Sequence, residues 1–212
     1  MINLSINEIL SAARPVLPVI TLDSSAAAGP LASALFRGGL RVIEVTLRTP
    51  AAFDAITRIR VEVPELIVGA GSVVAPGQLR AAQAAGAHFA VSPGLSSTLV
   101  REAAELGMPY LPGVMTPGEM MSALELGCAT VKLFPAALAG GVALLKAVRG
   151  PIPGLQFCPT GGIDAKSCDD YLALDSVICV GGSWFLSHEL LQEDWAGIQS
   201  AAQKLSIKRR SD

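Results

Sequence analysis

Aromatic side chains are scarce in this chain, at 5% of 212 residues, so a core must be assembled from Val, Leu, Ile and Ala. Charge is scarce too, at 16% of residues with a net charge of −2. No clustered basic surface is readable, which argues against nucleic acid as a partner, because phosphate backbones are held by grouped Lys and Arg. The basic run Lys208-Arg209-Arg210 reads as a solvated chain end. No apolar run reaches the ~18 residues of a helical membrane span, and the stretch Met1 to Arg14 lacks the charged start and apolar run of an export signal. It reads instead as a short amphipathic helix capped by Ser5 or Asn7. Cys128, Cys158, Cys168 and Cys179 form no C-x-x-C pair, and His88 and His188 lack metal-ligand spacing. Buried thiols of a cytoplasmic protein, with no metal and no membrane partner, are the expectation.

Against these absences stands a strong rhythm. Short apolar runs recur at 16–20, 41–46, 66–70, 88–91, 109–112, 129–133, 156–158 and 177–181, their starts 20 to 27 residues apart. Ala-rich segments of helical length lie between them, among them 26–36, 76–85, 95–106 and 116–126. Gly86, Gly107 and Gly127 close such helices, where positive φ suits glycine, and Pro76 and Pro117 open two of them, where a missing N–H does no harm. Eight strand–helix units predict an α/β fold: a single (β/α)8 TIM barrel over residues 1–212, with an extra N-terminal helix. An open doubly wound sheet is the other arrangement. The strand count, and the lack of G-x-G-x-x-G after the first strand, weigh against it.

Polar residues gather at the C-terminal ends of the strands, where such barrels place their reacting groups. Strand side chains alternate, so Glu44, Thr46 and Arg48 point inward while Ile43, Val45 and Leu47 meet the helices. Glu44 and Arg48 could also form a purely structural ion pair, since buried charges need partners whether or not they react. Lys132 is the first of five lysines and the only one inside an apolar strand, Thr130-Val131-Lys132-Leu133-Phe134. A snorkelling lysine is the plain alternative. At a strand end in the barrel mouth, shielding and the nearby Arg48 cation would disfavour the ammonium, and only the neutral amine attacks a carbonyl. Glu44 could then move the protons, and Arg48 could hold a carboxylate with two hydrogen bonds. Gly161-Gly162 and Gly181-Gly182-Ser183 follow strands seven and eight, the usual phosphate position of this fold.

The motifs Val42-Ile43-Glu44-Val45-Thr46-Leu47-Arg48-Thr49, Gly69-Ala70-Gly71-Ser72-Val73, Val91-Ser92-Pro93-Gly94, Val131-Lys132-Leu133-Phe134-Pro135-Ala136 and Phe157-Cys158-Pro159-Thr160-Gly161-Gly162-Ile163 occur in this order. Together they resemble the 2-keto-3-deoxy-6-phosphogluconate (KDPG) aldolases, which also act on 4-hydroxy-2-oxoglutarate. Gly181-Gly182-Ser183-Trp184 extends the resemblance. It implies a class I, metal-independent aldolase with no cofactor, a homotrimer whose partner is a small phosphorylated keto-acid sugar cleaved to pyruvate and glyceraldehyde 3-phosphate. By position, Lys132 resembles the Schiff-base lysine, Glu44 the general acid/base, and Arg48 and Ser72 the carboxylate contacts. Pro93, Phe134 and Thr160 would line the pocket, and Gly161, Gly162 and Ser183 would take the phosphate. Ser72 departs from the family's Thr, keeping the hydroxyl and losing the methyl. Met115-Thr116, where relatives have Ser-Thr, bears on the aldehyde rather than on the lysine chemistry. A galactonate-type relative uses the same apparatus on the C4 epimer. A non-covalent isomerase with Glu44 as base, and a sugar-phosphate sensor, are the readings outside aldolase chemistry.

Overall fold

A computed structural model describes residues 4–186 and 193–208. His188 and Arg209-Arg210 of the basic tail lie outside the described residues. Helix α1 (Ile6–Ala13) precedes the first strand, and Ser5, not Asn7, caps it. The Ser5 side chain accepts from the Glu8 N–H while the Glu8 carboxylate takes the Ser5 N–H, so two otherwise orphaned donors are satisfied reciprocally. The chain then runs β1 (Val16–Ile20), a 3-10 turn, α2 (Ala28–Arg37), β2 (Val42–Thr46), α3 (Ala52–Glu62), β3 (Ile67–Gly71), α4 (Pro76–Ala84), β4 (Phe89–Val91) and α5 (Ser97–Glu105). The second half runs β5 (Tyr110–Leu111), β6 (Gly113–Val114), α6 (Pro117–Glu125), β7 (Thr130–Leu133), α7 (Gly141–Arg149), β8 (Gln156–Phe157), α8 (Cys168–Leu172), β9 (Val180–Gly182) and α9 (Trp195–Lys208).

Every described pairing is parallel. One sheet has the order β5-β4-β3-β2-β1-β9 and the other β6-β7-β8, so the sheet curls with helices outside. The expected strand at 109–112 is divided at Pro112, which has no N–H to give to a ladder. The expected strand at 177–181 begins later, at Val180, with Val177 reduced to a single bridge to Phe157. No described helix is long and apolar enough to cross a membrane.

Strand alternation sorts the core. Ile20, Ile43, Val45, Val68 and Ala70 face α2, α3, α4 and α9, while Val114, Val131, Leu133 and Phe157 face α6 to α8. The opposite faces of the strands form an inner cluster containing Leu17, Val42, Phe89, Val91, Leu111, Cys158 and Cys179, together with Ile9, Leu10 and Ala13 of α1. Helix α1 thus seals the interior at the N-terminal ends of the strands. Asn7 hydrogen-bonds Thr130 at the start of β7, and the Arg14 guanidinium donates to the Ile178 carbonyl ahead of β9. Ile9 and Leu10 are fully buried, each contributing about 1.5–3 kcal/mol of apolar burial. With that end filled, the polar strand ends lie at the other.

Candidate active site

Lys132 is the third residue of β7 and only 5% exposed, which rules out a snorkelled ammonium. Its Nζ lies 3.4 Å from Glu44 Oε1 and 5.4 Å from the centre of the Phe134 ring. Glu44 is the third residue of β2 and 1% exposed. Two side chains separated by 88 positions therefore meet because both strands turn them inward. The second carboxylate oxygen, Glu44 Oε2, is buried with no hydrogen-bond partner among the described residues. A buried carboxylate oxygen without a partner is costly and needs a reason. An oxygen so placed can accept a proton from a bound molecule.

Glu44 reaches this position because of a glycine. Register pairs Thr46 with Gly71 on β3, and a Cβ on Gly71 would lie 2.0 Å from Glu44 Oε1. The carboxylate rests on bare backbone, and any side chain there would displace it.

Arg48 follows β2 and is exposed, with its Nε donating to Ser72 Oγ at 2.9 Å. The ion pair with Glu44 allowed by sequence spacing is replaced by separate partners, Lys132 for Glu44 and Ser72 for Arg48. With Nε engaged on Ser72, the two terminal nitrogens of Arg48 retain the planar fork that holds a carboxylate. Ser72 has φ 58°, in the left-handed region, where a β-branched residue such as threonine is more strained than serine.

Pro93 sits beyond β4 in a braced turn. The Tyr110 hydroxyl donates to Ser92 Oγ at 2.6 Å, and Ser92 Oγ donates to the Gly94 carbonyl at 2.6 Å. Burial pushes the Tyr110 hydroxyl up to about 12, keeping it a neutral donor. Gly113, whose Cβ position is only 2.3 Å from the Pro93 carbonyl carbon, pairs with Lys132, so this turn borders the lysine strand.

Thr160 is 6% exposed and forms a bridge to Gly181, whose N–H donates to the Pro159 carbonyl at 2.8 Å. Gly161 and Gly162 have φ 98° and 72°, conformations that L side chains rarely adopt. Phe134 packs beside them, 3.3 Å from where a Gly161 Cβ would be. Ser183 follows β9 and is exposed. The expected residues thus form three groups: Lys132, Glu44 and Phe134, with Pro93 bordering the lysine strand; Arg48 and Ser72; and the glycine-rich ends of β8 and β9 with Thr160 and Ser183. Among the described residues, no cluster of His, Cys, Asp or Glu has the make-up of a metal site.

One pair escapes the sequence reading. The hydroxyls of Thr21, after β1, and Thr46, at the end of β2, lie 2.7 Å apart. The readable signal is parity, since Thr21 continues the inward series begun by Leu17 and Val19.

The chain is also similar to known proteins. Residues 6–201 match the family model described as aldolase: KDPG and KHG aldolase. The chain is 47% identical over 201 residues to a 2-dehydro-3-deoxy-phosphogluconate aldolase of Dickeya dadantii, covering 94% of each chain. It is 49% identical over 178 residues to a KHG/KDPG aldolase of Escherichia coli, covering 84% of each. A crystal structure of KDPG aldolase from Legionella pneumophila, with pyruvate captured as a covalent carbinolamine intermediate, superposes with a TM-score of 0.93 at 42% identity, covering 97% of this chain and 100% of that one. A native KDPGal structure shares the fold, with a TM-score of 0.79 at 24% identity.

Proposed function

This chain belongs to the KDPG and KHG aldolase family, and on that premise we propose that it cleaves 2-keto-3-deoxy-6-phosphogluconate reversibly to pyruvate and glyceraldehyde 3-phosphate through a Schiff base on Lys132. It would also act on 4-hydroxy-2-oxoglutarate, as the KHG/KDPG name of the Escherichia coli relative suggests. The observation that carries the reading is the buried Lys132 amine 3.4 Å from a carboxylate whose other oxygen has no partner among the described residues.

The chemistry follows from that placement. The neutral amine adds to the C2 carbonyl, giving a carbinolamine, and loss of water gives the imine. Glu44 shuttles the protons of both steps, then takes the proton of the C4 hydroxyl. The C3–C4 bond breaks, its electron pair enters the enamine on Lys132, and the aldehyde departs. Protonation of C3 and hydrolysis release pyruvate and free the amine. Arg48 and Ser72 hold the C1 carboxylate, and Pro93 and Phe134 line the pocket with Thr160. Gly161, Gly162 and Ser183 receive the phosphate. Left-handed φ at Gly161 and Gly162 supports this last assignment, since it lets backbone N–H groups converge on an anion.

Closure into a complete (β/α)8 barrel forms part of the proposal. It is supported by β1–β9 pairing on one side and by the Thr160–Gly181 bridge on the other. We also infer a homotrimer, consistent with the exposed apolar Val74 and Leu138 next to the mouth loops, and a cytoplasmic setting that keeps Cys158 and Cys179 reduced. Borohydride reduction in the presence of pyruvate should add one stable covalent mass, located on Lys132 by peptide mapping. Native protein that acquires no such mass would remove the proposal. Kinetics on KDPG, its C4 epimer and 4-hydroxy-2-oxoglutarate decide which substrate it prefers.

A further inference from the structure

Strand β1 contributes no residue to the chemistry just described, yet it occupies the place between two parts of the site. It pairs with β2 on one side, Val19 opposite Glu44, and with β9 on the other, Pro18 opposite Gly182. Continuing both registers places Thr21 beside Thr46, and Ser183 opposite Val19, two positions before Thr21. The acid/base strand and the strand leading to the phosphate loop are thus two strand spacings apart, about 10 Å, with the end of β1 between them. A three-carbon chain that begins at the C4 hydroxyl and ends in a phosphate, with a hydrogen bond at each end, spans that gap.

Thr21 is the outermost inward-facing residue of this strand and is exposed, whereas Thr46 is fully buried. Their hydroxyls share one hydrogen bond at 2.7 Å. Whichever of the two donates, Thr21 keeps hydrogen-bonding capacity toward the mouth, because a hydroxyl offers one proton and two lone pairs. The strand end is fixed from outside as well, since Thr49 Oγ1 donates to the Leu22 carbonyl at 2.5 Å. An exposed hydroxyl, oriented by a buried one and backed by a pinned loop, is a preorganised contact rather than a loose surface group.

We propose that Thr21 is a specificity-determining residue that hydrogen-bonds the C5 hydroxyl of the substrate, the hydroxyl between the cleaved bond and the phosphate. This rests on the aldolase reading above. The substrate 4-hydroxy-2-oxoglutarate has a carboxylate at C5 and no such hydroxyl, so Thr21 separates the two substrates of one active site. A tie serving only to hold β1 to β2 would affect both alike.

The test is the ratio of kcat/KM for KDPG to that for 4-hydroxy-2-oxoglutarate, measured in the full-length protein. Thr21→Val, which keeps the shape and removes the hydroxyl, should lower this ratio about tenfold, the loss of one neutral hydrogen bond. Thr21→Ser should restore it. Equal losses on both substrates, or an unchanged ratio, would overturn the proposal. Failure of native protein to form the borohydride-trapped pyruvate adduct would overturn it by a different route, because the reading beneath it would be gone.

Discussion

The two ends of the strands are built on opposite terms. At the N-terminal end the interior is filled by Ile9, Leu10 and Ala13 of α1, and the polar atoms that remain are paired, Asn7 with Thr130 and Arg14 with Ile178. At the C-terminal end a lysine and a glutamate are withheld from water, one carboxylate oxygen has no partner among the described residues, and glycines stand where side chains would fill the space. One end maximises satisfied contacts; the other retains unsatisfied ones for something yet to arrive. A molecule divided in this way should lose activity when one end is altered and stability when the other is.

The sharpest break in that contrast is at Lys132. Lys132→Met should keep the fold by circular dichroism while lowering kcat on KDPG by roughly four orders of magnitude or more, as for other residues whose role is covalent. At the sealed end, Leu10→Ala should cost about 2–5 kcal/mol in urea unfolding while kcat per folded molecule holds. A matching collapse of kcat would show that the two ends are not separate. Back at the mouth, Gly71→Ala brings a methyl within 2.0 Å of Glu44 Oε1. The displaced carboxylate should reduce kcat about 100-fold with far less effect on KM, since misplacement of about 1 Å has that scale.

The smallest effect belongs to His88, half-buried just ahead of β4. Burial first, and then the Arg60 cation, lower its pKa to about 4 from 6.5. Its Nδ1 also accepts the Val68 N–H at 3.1 Å, a bond that the neutral ring makes. Between pH 6.5 and 4 the unfolded chain binds a proton that the folded chain refuses, so stability falls as pH drops through that window. The urea midpoint should therefore be lower at pH 4.5 than at pH 7, and His88→Gln should make that drop smaller. A drop of equal size in the variant would assign the acid sensitivity to other groups.

What the sequence made legible, and what it did not, divides along distance in the chain. Alternation within one strand placed Glu44 inward and Ile43 outward, and the lone strand lysine marked Lys132. Such inferences need only local periodicity and the sealed or open state of a strand end. Contacts between strands need register, which single-strand periodicity does not encode. Hence Glu44 and Arg48, neighbours in one motif, read as a possible pair, whereas their partners lie 88 and 24 positions away. The Thr21–Thr46 contact was hidden for the same reason, two ordinary threonines 25 positions apart. The division at Pro112 was foreseeable from a missing donor, but the run of apolar neighbours masked it.

The plug formed by α1 also governs traffic. Among the described residues the base is filled, so in the closed barrel proposed above whatever enters at the mouth leaves by the same route. On the chemistry proposed above, the fragment tethered to Lys132 would lie deepest and remain bonded after cleavage, while the phosphorylated fragment would lie toward the rim. The aldehyde must therefore depart before pyruvate can follow, and in the synthetic direction pyruvate must be seated first. A helix that touches no reacting atom in this way dictates the order of events.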